Sequence, residues 1–284
     1  MAEASAPHPA GLAPWTVRAV GCTALATLRA SRGVVRRLPG SSFWAAGDDV
    51  VWLARREPLS HPRAFTLAAP WPGPWDEGVL ALEQAIVWRP ALPRAAEASL
   101  AELGSTAESL AAALPALEAP RGLGLFLGGG TPDFPLGNAR AHMARVAQAA
   151  CGGDMDGVAA AIAGLIGLGA GLTPSGDDFL AGIAFATRLG EAAYAGARPH
   201  GQAIRDAIRA AASLRTNRVS AALLRDATQG FGFRAMHELS AALAARRDED
   251  AVQAARRLSA IGHSSGWDLL VGLLAGLAGA RIVL

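Results

Sequence analysis

Two hydrophobic patterns follow one another along the chain and change near residue 93. Between residues 17 and 93, short runs such as FWAA and VVWLA are bounded by Gly, Pro and Asp, which is typical of β-strands. These two runs flank Gly47-Asp48-Asp49 and predict a hairpin. Six of the seven Trp lie in this region or at its edge, and aromatic side chains favour strands. This part therefore predicts a small β-rich domain.

Helical spacing of apolar residues begins after residue 93 and continues to the end of the chain. We therefore predict an α+β fold, with a small N-terminal mainly-β domain at 17–93 and a larger mainly α-helical domain at 94–284. Residues 1–16 are predicted to form a flexible tail. The predicted helical segments are RAAEASLAELGSTAESLAAALPAL, ARAHMARVAQAAC, DGVAAAIAGLI, DFLAGIAFATRLGEAAYA, GQAIRDAIRAAASL, SAALLRDATQ, FRAMHELSAALAARR, EDAVQAARRLSAI and WDLLVGLLAGLAGA.

The composition narrows the possible chemistry. No lysine occurs among the 284 residues, so all 26 basic residues are arginines. A Schiff-base lysine, a pyridoxal-phosphate anchor and a Walker-type phosphate lysine are therefore excluded. Cys22 and Cys151 belong to no CxxC or Cys/His pattern, so a disulfide framework and a structural zinc site have no support. The scattered arginines give no nucleic-acid footprint.

The N-terminal segment and the apolar runs bear on localisation. The first residues lack a basic segment followed by an apolar stretch, which argues against a secretory signal. The longest apolar runs are rich in Gly and Ala and shorter than about 18 residues, so they predict buried helices rather than membrane spans. We expect a cytoplasmic protein with no membrane partner.

The most distinctive motif is GLGAGLTPSGDDFLAG at residues 167–182, which leads into a predicted helix. About ninety residues later, SSGWDLLVG repeats its pattern, since both contain Ser-Gly-x-Asp-apolar-Leu-x-Gly. This match aligns Asp178, rather than Asp177, with Asp268. Because adjacent residues of a helix project about 100° apart, Asp178 is the better candidate for a role shared with Asp268.

Three interpretations of the paired motifs stay open. A Ser followed three residues later by an acid resembles a capping box, which only starts a helix. Alternatively, a glycine-rich entry exposes helix N–H groups to a small anion, and two such ends facing each other would form a pocket. A divalent cation held by the carboxylates is the third interpretation. A dinucleotide-binding loop is excluded, because GLGAGL lacks the GxGxxG spacing and follows a helical segment rather than a strand.

A second polar cluster, Thr216-Asn217-Arg218, precedes another apolar helix. It is either an N-cap with a solvated arginine or an anion site in which Arg218 acts as a bidentate fork. His263 is either a hydrogen-bonding loop residue or a general acid or base. No resident cofactor or metal is predicted. The predicted substrate or anion site comprises Gly171, Thr173, Ser175, Gly176, Asp177, Thr216, Asn217, Arg218, Ser264, Ser265 and Gly266, with Asp178, His263 and Asp268 as catalytic residues.

Three segments together resemble the AllH-like proteins. The resemblance covers most of the chain from Val17 onward, and its first segment is the most distinctive. Three positions depart from the family pattern: Ala170 stands where proline is expected, Asn217 where a small or hydroxyl residue is common, and Ser264 where threonine is usual. The segments, in chain order, are LIGLGAGLTPSGDDFLAG, TNRVSAALLRDATQG and AIGHSSGWDLLVGLLAG.

The resemblance implies a subunit of oxamate carbamoyltransferase, an enzyme of allantoin degradation in purine nitrogen catabolism. That enzyme interconverts oxalurate plus phosphate with oxamate plus carbamoyl phosphate, all of which are small anions. The resemblance also implies other protein subunits, including a chain related to acyl-CoA synthetases. Two further functions fit the motifs: a non-catalytic scaffold or regulatory subunit, and a stand-alone metal-dependent hydrolase that uses Asp177 and Asp178.

Overall fold

The computed structural model describes residues 15–55, 58–69, 76–94, 97–194 and 198–284. Residues 1–14 of the predicted tail lie outside this part of the chain. Two compact units, Met1–Arg89 and Pro90–Leu284, make up the molecule. The first is mainly β and the second mainly helical, which confirms the predicted fold class.

The N-terminal unit is a mixed sheet that closes on itself. Its ring follows the order β5-β4-β3-β2-β6-β1, and pairing of β5 with β1 completes it. Strand β7 lies parallel to the second half of β1. The elements are β1 (Trp15–Gly21), α1 (Cys22–Ala30), β2 (Val34–Arg37), β3 (Phe43–Ala46), β4 (Asp49–Leu53), β5 (Ala64–Leu67), β6 (Glu77–Ala81) and β7 (Ile86–Trp88).

The predicted hairpin of this unit is confirmed, since β3 and β4 pair antiparallel from Phe43 opposite Trp52 to Ala46 opposite Asp49. A buried arginine, Arg63, is bonded to the same hairpin. Its Nη1 donates to Asp49 Oδ1 at 2.9 Å and to the Val50 carbonyl at 2.8 Å. Helix α1 is an addition to the predicted strands, and Ala and Leu, which favour helix, occupy most of its interior.

The second unit consists of helices α2 to α10 and three short 3-10 helices. Each predicted helical segment contains an α-helix, although the first helix begins at Leu100, six residues after the start of its predicted segment. The glycine-rich break after α2 contains one 3-10 helix and the start of a second. No single helix among the described residues is long and apolar enough to cross a membrane. The α-helices are α2 (Leu100–Leu117), α3 (Arg140–Ala150), α4 (Val158–Leu165), α5 (Ser175–Ala193), α6 (Gly201–Arg215), α7 (Arg218–Thr228), α8 (Arg234–Ala244), α9 (Asp248–Ser259) and α10 (Ser265–Ala278), and the 3-10 helices are Gly122–Gly128, Leu136–Ala139 and Ala280–Ile282.

Candidate functional site

The two Ser-Gly-x-Asp motifs begin the two most buried helices, α5 and α10, and these helices cross at the last glycine of each motif. A Cβ built on Gly182 would lie 2.3 Å from the Leu269 carbonyl oxygen, and one built on Gly272 would lie 2.1 Å from the Phe179 carbonyl oxygen. Only glycine permits backbones to approach this closely. The crossing lies one helical turn beyond Asp178 and Asp268, so it brings the two helix N-termini together.

The loops that lead into α5 and α10 also make equivalent contacts. A Cβ built on Gly176 would lie 2.0 Å from the carbonyl oxygen of Leu165 at the end of α4, and one built on Gly266 would lie 1.9 Å from that of Leu258 in the last turn of α9. The Gly176 N–H donates to Leu168 O, and the Gly266 N–H donates to Ile261 O, both at 2.9 Å. The motifs therefore belong to two helix–loop–helix units of the same design. Because these two N–H groups are already bonded, neither is available to an anion.

Hydroxyl groups and carboxylates from both motifs meet where the helices begin. Thr173 Oγ1 and Ser265 Oγ lie 2.9 Å apart. Asp268 Oδ1 accepts the Leu123 N–H at 2.7 Å, whereas Oδ2 of Asp178 and Oδ2 of Asp268 are buried without a hydrogen-bond partner. We call this cluster the dyad centre and define it as Thr173, Ser175, Asp178, Ser264, Ser265 and Asp268.

Burial dominates the electrostatics of the dyad centre. It raises the pKa of Asp178 well above the usual range, and the charge of Asp268 raises it further, while the Ser265 and Thr173 hydroxyls oppose the shift. Burial also raises the pKa of Asp268 to about 6, although the N–H of Leu123 and the hydroxyls of Ser175 and Ser264 lower it. Ser175 and Ser265 thus each act on the carboxylate of the other motif, whereas Ser264 acts on that of its own. Burial and the neighbouring charge therefore favour the protonated form of Asp178, whereas the pKa of about 6 leaves Asp268 mostly ionised near neutral pH.

The capping-box interpretation of the motifs is wrong. Ser175 and Ser265 are the first residues of their helices, and the N-cap positions belong to Pro174 and Ser264, which accept no side-chain capping bond. A capping box does occur elsewhere, at Ser99, where α2 begins. The side chains of the paired motifs are therefore directed to each other rather than to their own helix ends.

Asp177 belongs to a different cluster from Asp178, as the 100° offset predicts. Its Oδ1 accepts the Gly167 N–H at 2.7 Å, and its Oδ2 accepts from the hydroxyls of Ser220, at 2.6 Å, and Thr216. We call these four residues the loop clamp. Asp177, in the first turn of α5, thus links the glycine-rich loop at Gly167 to the start of α7, and both Asp177 and Thr216 are occupied in holding the loop.

Asn217 reinforces the clamp as the N-cap of α7. Its Oδ1 accepts the N–H groups of Val219 and Ser220 at 3.0 and 3.1 Å, and its Nδ2 donates to the Leu172 carbonyl at 2.9 Å. The N-cap interpretation is confirmed for this residue. The adjacent Arg218 is the first residue of α7 and is exposed.

Replacing Asn217 by Ala is expected to lower the free energy of unfolding by about 1–2 kcal/mol, because it removes the N-cap acceptor and the loop contact together. Urea unfolding followed by circular dichroism measures this change. Asn138→Ala is the matched control, since Asn138 is exposed and its side chain makes no hydrogen bond within the described residues. Equal stabilities of the two variants would contradict a capping role.

The remaining predicted residues border the dyad centre. Gly171 is exposed at φ +94° in the glycine-rich loop, and Gly169 adopts φ +113° beside the backbone nitrogen of Ser175. Such positive φ angles favour glycine. His263 is exposed, and its carbonyl oxygen accepts from Arg121 Nη1 at 3.3 Å. These residues therefore form the edge of the site and not its buried floor.

The start of the first 3-10 helix, Gly122–Gly128, contributes to the site although its sequence predicts only a break. Leu123 donates its N–H to Asp268, and Gly122, at φ +53°, leaves no room for a Cβ, which would lie 2.4 Å from Asp268 Oδ1. The glycine content of GLGLFLGGG is the signal in the sequence, since glycine marks close backbone approach.

No group of three or more His, Cys, Asp or Glu side chains suited to a metal ion occurs among the described residues.

Comparison with known families identifies the segment that carries this site. Residues 165–277 match the model of the family AllH, described as oxamate carbamoyltransferase subunit AllH. The match runs from Leu165, whose carbonyl contacts Gly176, to Leu277 in the last turn of α10. It therefore contains both motifs and the loop clamp. No solved structure matches the chain.

Proposed function

We propose that this chain, a member of the AllH family and a subunit of oxamate carbamoyltransferase, carries the carbamoyl-transfer site of that enzyme at its dyad centre. One observation carries the proposal: the segment that matches the family brings two buried carboxylates together, each with an oxygen that has no partner. Buried titratable groups with raised pKa values are typical of catalytic sites.

Asp268 suits the role of proton acceptor in the reaction. When oxalurate forms, the amide nitrogen of oxamate attacks the carbamoyl carbon of carbamoyl phosphate, the bond from that carbon to the phosphate oxygen breaks, and the nitrogen loses a proton. A general base works best when its pKa lies near the working pH, and burial raises the pKa of Asp268 to about 6. In the reverse direction, protonated Asp268 returns the proton to the departing nitrogen.

The anionic ends of the substrates are assigned to the edge of the site, because their charge would be repelled by a buried carboxylate. Thr173 and Ser265 lie close to the start of both helices, but their hydroxyls are bonded to each other and act on Asp178, so the anionic ends are assigned to other groups. Arg218 supplies a guanidinium fork next to the capped loop, and arginine is suited to bidentate binding of carboxylate or phosphate. His263 supplies an imidazole on the opposite loop. The two helix dipoles add positive potential at this edge.

A subunit works with other subunits. We assign an acyl-CoA-synthetase-related chain as one partner, the cytoplasm as the location, and purine nitrogen catabolism through allantoin as the pathway. The paired motifs support a catalytic subunit over a regulatory one. A hydrolase that binds a metal through Asp177 and Asp178 is disfavoured, because Asp177 is fully occupied in the loop clamp.

The pH dependence of carbamoyl transfer tests this function. In the reconstituted complex, kcat/KM for oxamate is expected to fall about tenfold per pH unit below about pH 6, because protonated Asp268 cannot accept the amide proton. Above that pH the profile is expected to level off. Initial rates between pH 5 and 9 measure the profile.

A complex that contains Asp268→Glu is the comparison, since it moves the carboxylate by one methylene and changes its surroundings. The fall in kcat/KM at low pH, called the acid limb of the profile, is expected to move to a different pH with this substitution. A limb caused by titration of a substrate would be identical in the two complexes. An unchanged limb would therefore refute the assignment of Asp268 as the base.

A further inference from the structure

The unpartnered oxygens of the dyad centre indicate what kind of ligand it binds. Asp178 and Asp268 are 6% and 0% exposed, yet Oδ2 of each lacks a donor. Buried carboxylate oxygens almost always accept hydrogen bonds, because desolvation without a partner is unfavourable. Nearby hydroxyls act on these carboxylates but leave both oxygens unsatisfied. A ligand that completes the site must therefore supply donors or positive charge.

An anionic group does not meet this need, because it is repelled by Asp268 and has no N–H to donate. A divalent cation meets it less well than a neutral donor. The cation favours two ionised carboxylates, whereas burial and the charge of Asp268 raise the pKa of Asp178 and so favour its protonated form. A third carboxylate or imidazole ligand is also missing among the described residues.

A primary amide matches the two carboxyl groups in their expected states. Its nitrogen carries N–H donors and its carbonyl oxygen is an acceptor. An ionised carboxylate offers an acceptor, and a neutral carboxyl group offers an O–H donor. Oxamate and carbamoyl phosphate both contain the group –CO–NH2. The uncharged amide end of each substrate is therefore complementary to the two carboxyl groups of the dyad centre.

We propose that the dyad centre recognises the amide end of its substrates, with Asp268 Oδ2 accepting an N–H of the oxamate amide and the carboxyl group of Asp178 donating to the carbamoyl carbonyl oxygen. This inference rests on the proposed function and adds how the site distinguishes its substrates from other small anions. The Asp178 O–H would lie where negative charge develops on the carbonyl oxygen during transfer, and such donors stabilise the transition state. Asp178 is thereby assigned as a second catalytic residue with a role distinct from that of Asp268.

A series of oxamate analogues tests the inference on the reconstituted complex. Calorimetric titrations compare oxamate with oxalate, which lacks the amide, and with N,N-dimethyloxamate, which lacks the N–H groups. Oxamate is expected to bind at least about 100-fold more tightly than either analogue, because a site built to bond an N–H rejects ligands without it. Discrimination below about threefold in the wild-type complex overturns the inference.

Two variants separate the roles of the carboxyl groups. Asp268→Asn replaces the acceptor Oδ2 by an N–H donor if its oxygen stays on Leu123, so discrimination is expected to fall below about tenfold. Asp178→Asn keeps a donor, so discrimination is expected to persist. Loss of discrimination in Asp178→Asn with retention in Asp268→Asn reverses the assignment and overturns it.

Titration of the complex with MgCl2 addresses the cation alternative. A cation site would be shown by two results together: Mg2+ binding is lost in Asp268→Asn, and oxamate binding requires Mg2+. These results would overturn amide recognition.

Failure of this inference can be distinguished from failure of the proposed function. Equal binding of all analogues with an intact acid limb refutes amide recognition alone, whereas an acid limb that Asp268→Glu leaves unchanged refutes the role of Asp268 in the reaction.

Discussion

Complexes that contain Asp268→Asn are expected to transfer the carbamoyl group about 10²–10⁴-fold more slowly than the wild type. This is the usual contribution of a positioned general base. The asparagine is close in size and keeps an oxygen that can accept the Leu123 N–H, so the local fold is expected to survive. Steady-state rates of oxalurate formation and of its phosphorolysis should fall together, since Asp268 accepts the proton in one direction and returns it in the other.

The same substitution is expected to stabilise the fold at neutral pH. The raised pKa of Asp268 means that the folded state holds its proton up to about pH 6, whereas the unfolded chain releases it near pH 4. The contribution of Asp268 to stability is therefore most favourable below about pH 4, falls as the pH rises towards 6, and above that is less favourable by about 3 kcal/mol. Asparagine removes this penalty, so the Tm at pH 7.5 should rise by a few degrees.

Asp248→Asn is the matched control for both measurements. Asp248 is exposed in the first turn of α9, the helix that precedes α10. Its substitution should leave the rate within twofold of the wild type and the Tm within about 1 °C, as is usual for surface changes. An Asp268→Asn complex that keeps full activity, or one that loses activity only because the chain unfolds, would contradict a catalytic role.

The helices were predictable from sequence because a helix forms through hydrogen bonds between residues four apart. Amphipathic helices also show a 3.6-residue period, as in α6, where Ile204, Ile208 and Ala212 are buried on one side. The closed sheet was predictable only as strands. Its closure depends on β1 pairing with β5, about 45 residues apart in sequence, and no local pattern specifies such a pairing. Helix α1 was missed since it is short and lies among strand-like runs.

The candidate site was likewise predictable where it depends on local sequence and not where it depends on packing. The repeated motif predicted that Asp178 and Asp268 share a role, because a repeated pattern reports a repeated local structure. It did not predict that Ser175 and Ser265 would each act on the carboxylate of the other motif, which requires the crossing at Gly182 and Gly272. The Leu123 N–H lies 145 residues from its acceptor Asp268. Contacts of this kind follow from packing and are absent from any local pattern.

Gly272→Ala is expected to destabilise the chain by about 3 kcal/mol, which is the upper part of the usual range for overpacking. The new Cβ would lie 2.1 Å from the Phe179 carbonyl oxygen and 2.8 Å from its carbon, so backbone would have to move and no side-chain rotation could relieve the clash. Thermal unfolding should show a fall in Tm of roughly 10 °C. Thermal and urea unfolding at pH 7.5 measure the effect.

Gly104→Ala is the matched control and should change stability in the opposite direction. Gly104 lies inside α2, where a Cβ would meet its nearest atom, the Leu277 carbonyl oxygen, at an ordinary 3.5 Å. Alanine is favoured over glycine by about 1 kcal/mol in a helix interior, so this variant should be more stable than the wild type. A similar loss in both variants would mean that the α5–α10 crossing is not close-packed.

The crossing also links stability to chemistry, because Gly272 lies one turn beyond Asp268. Helices forced apart at Gly272 would separate Asp268 from Asp178 and lengthen the contact between Ser265 and Thr173. Gly272→Ala complexes that stay folded at 15 °C should therefore lose carbamoyl transfer by at least tenfold, since small displacements of catalytic groups have large effects on rate. Full activity in a folded Gly272→Ala complex would show that the two helix N-termini do not act as one site.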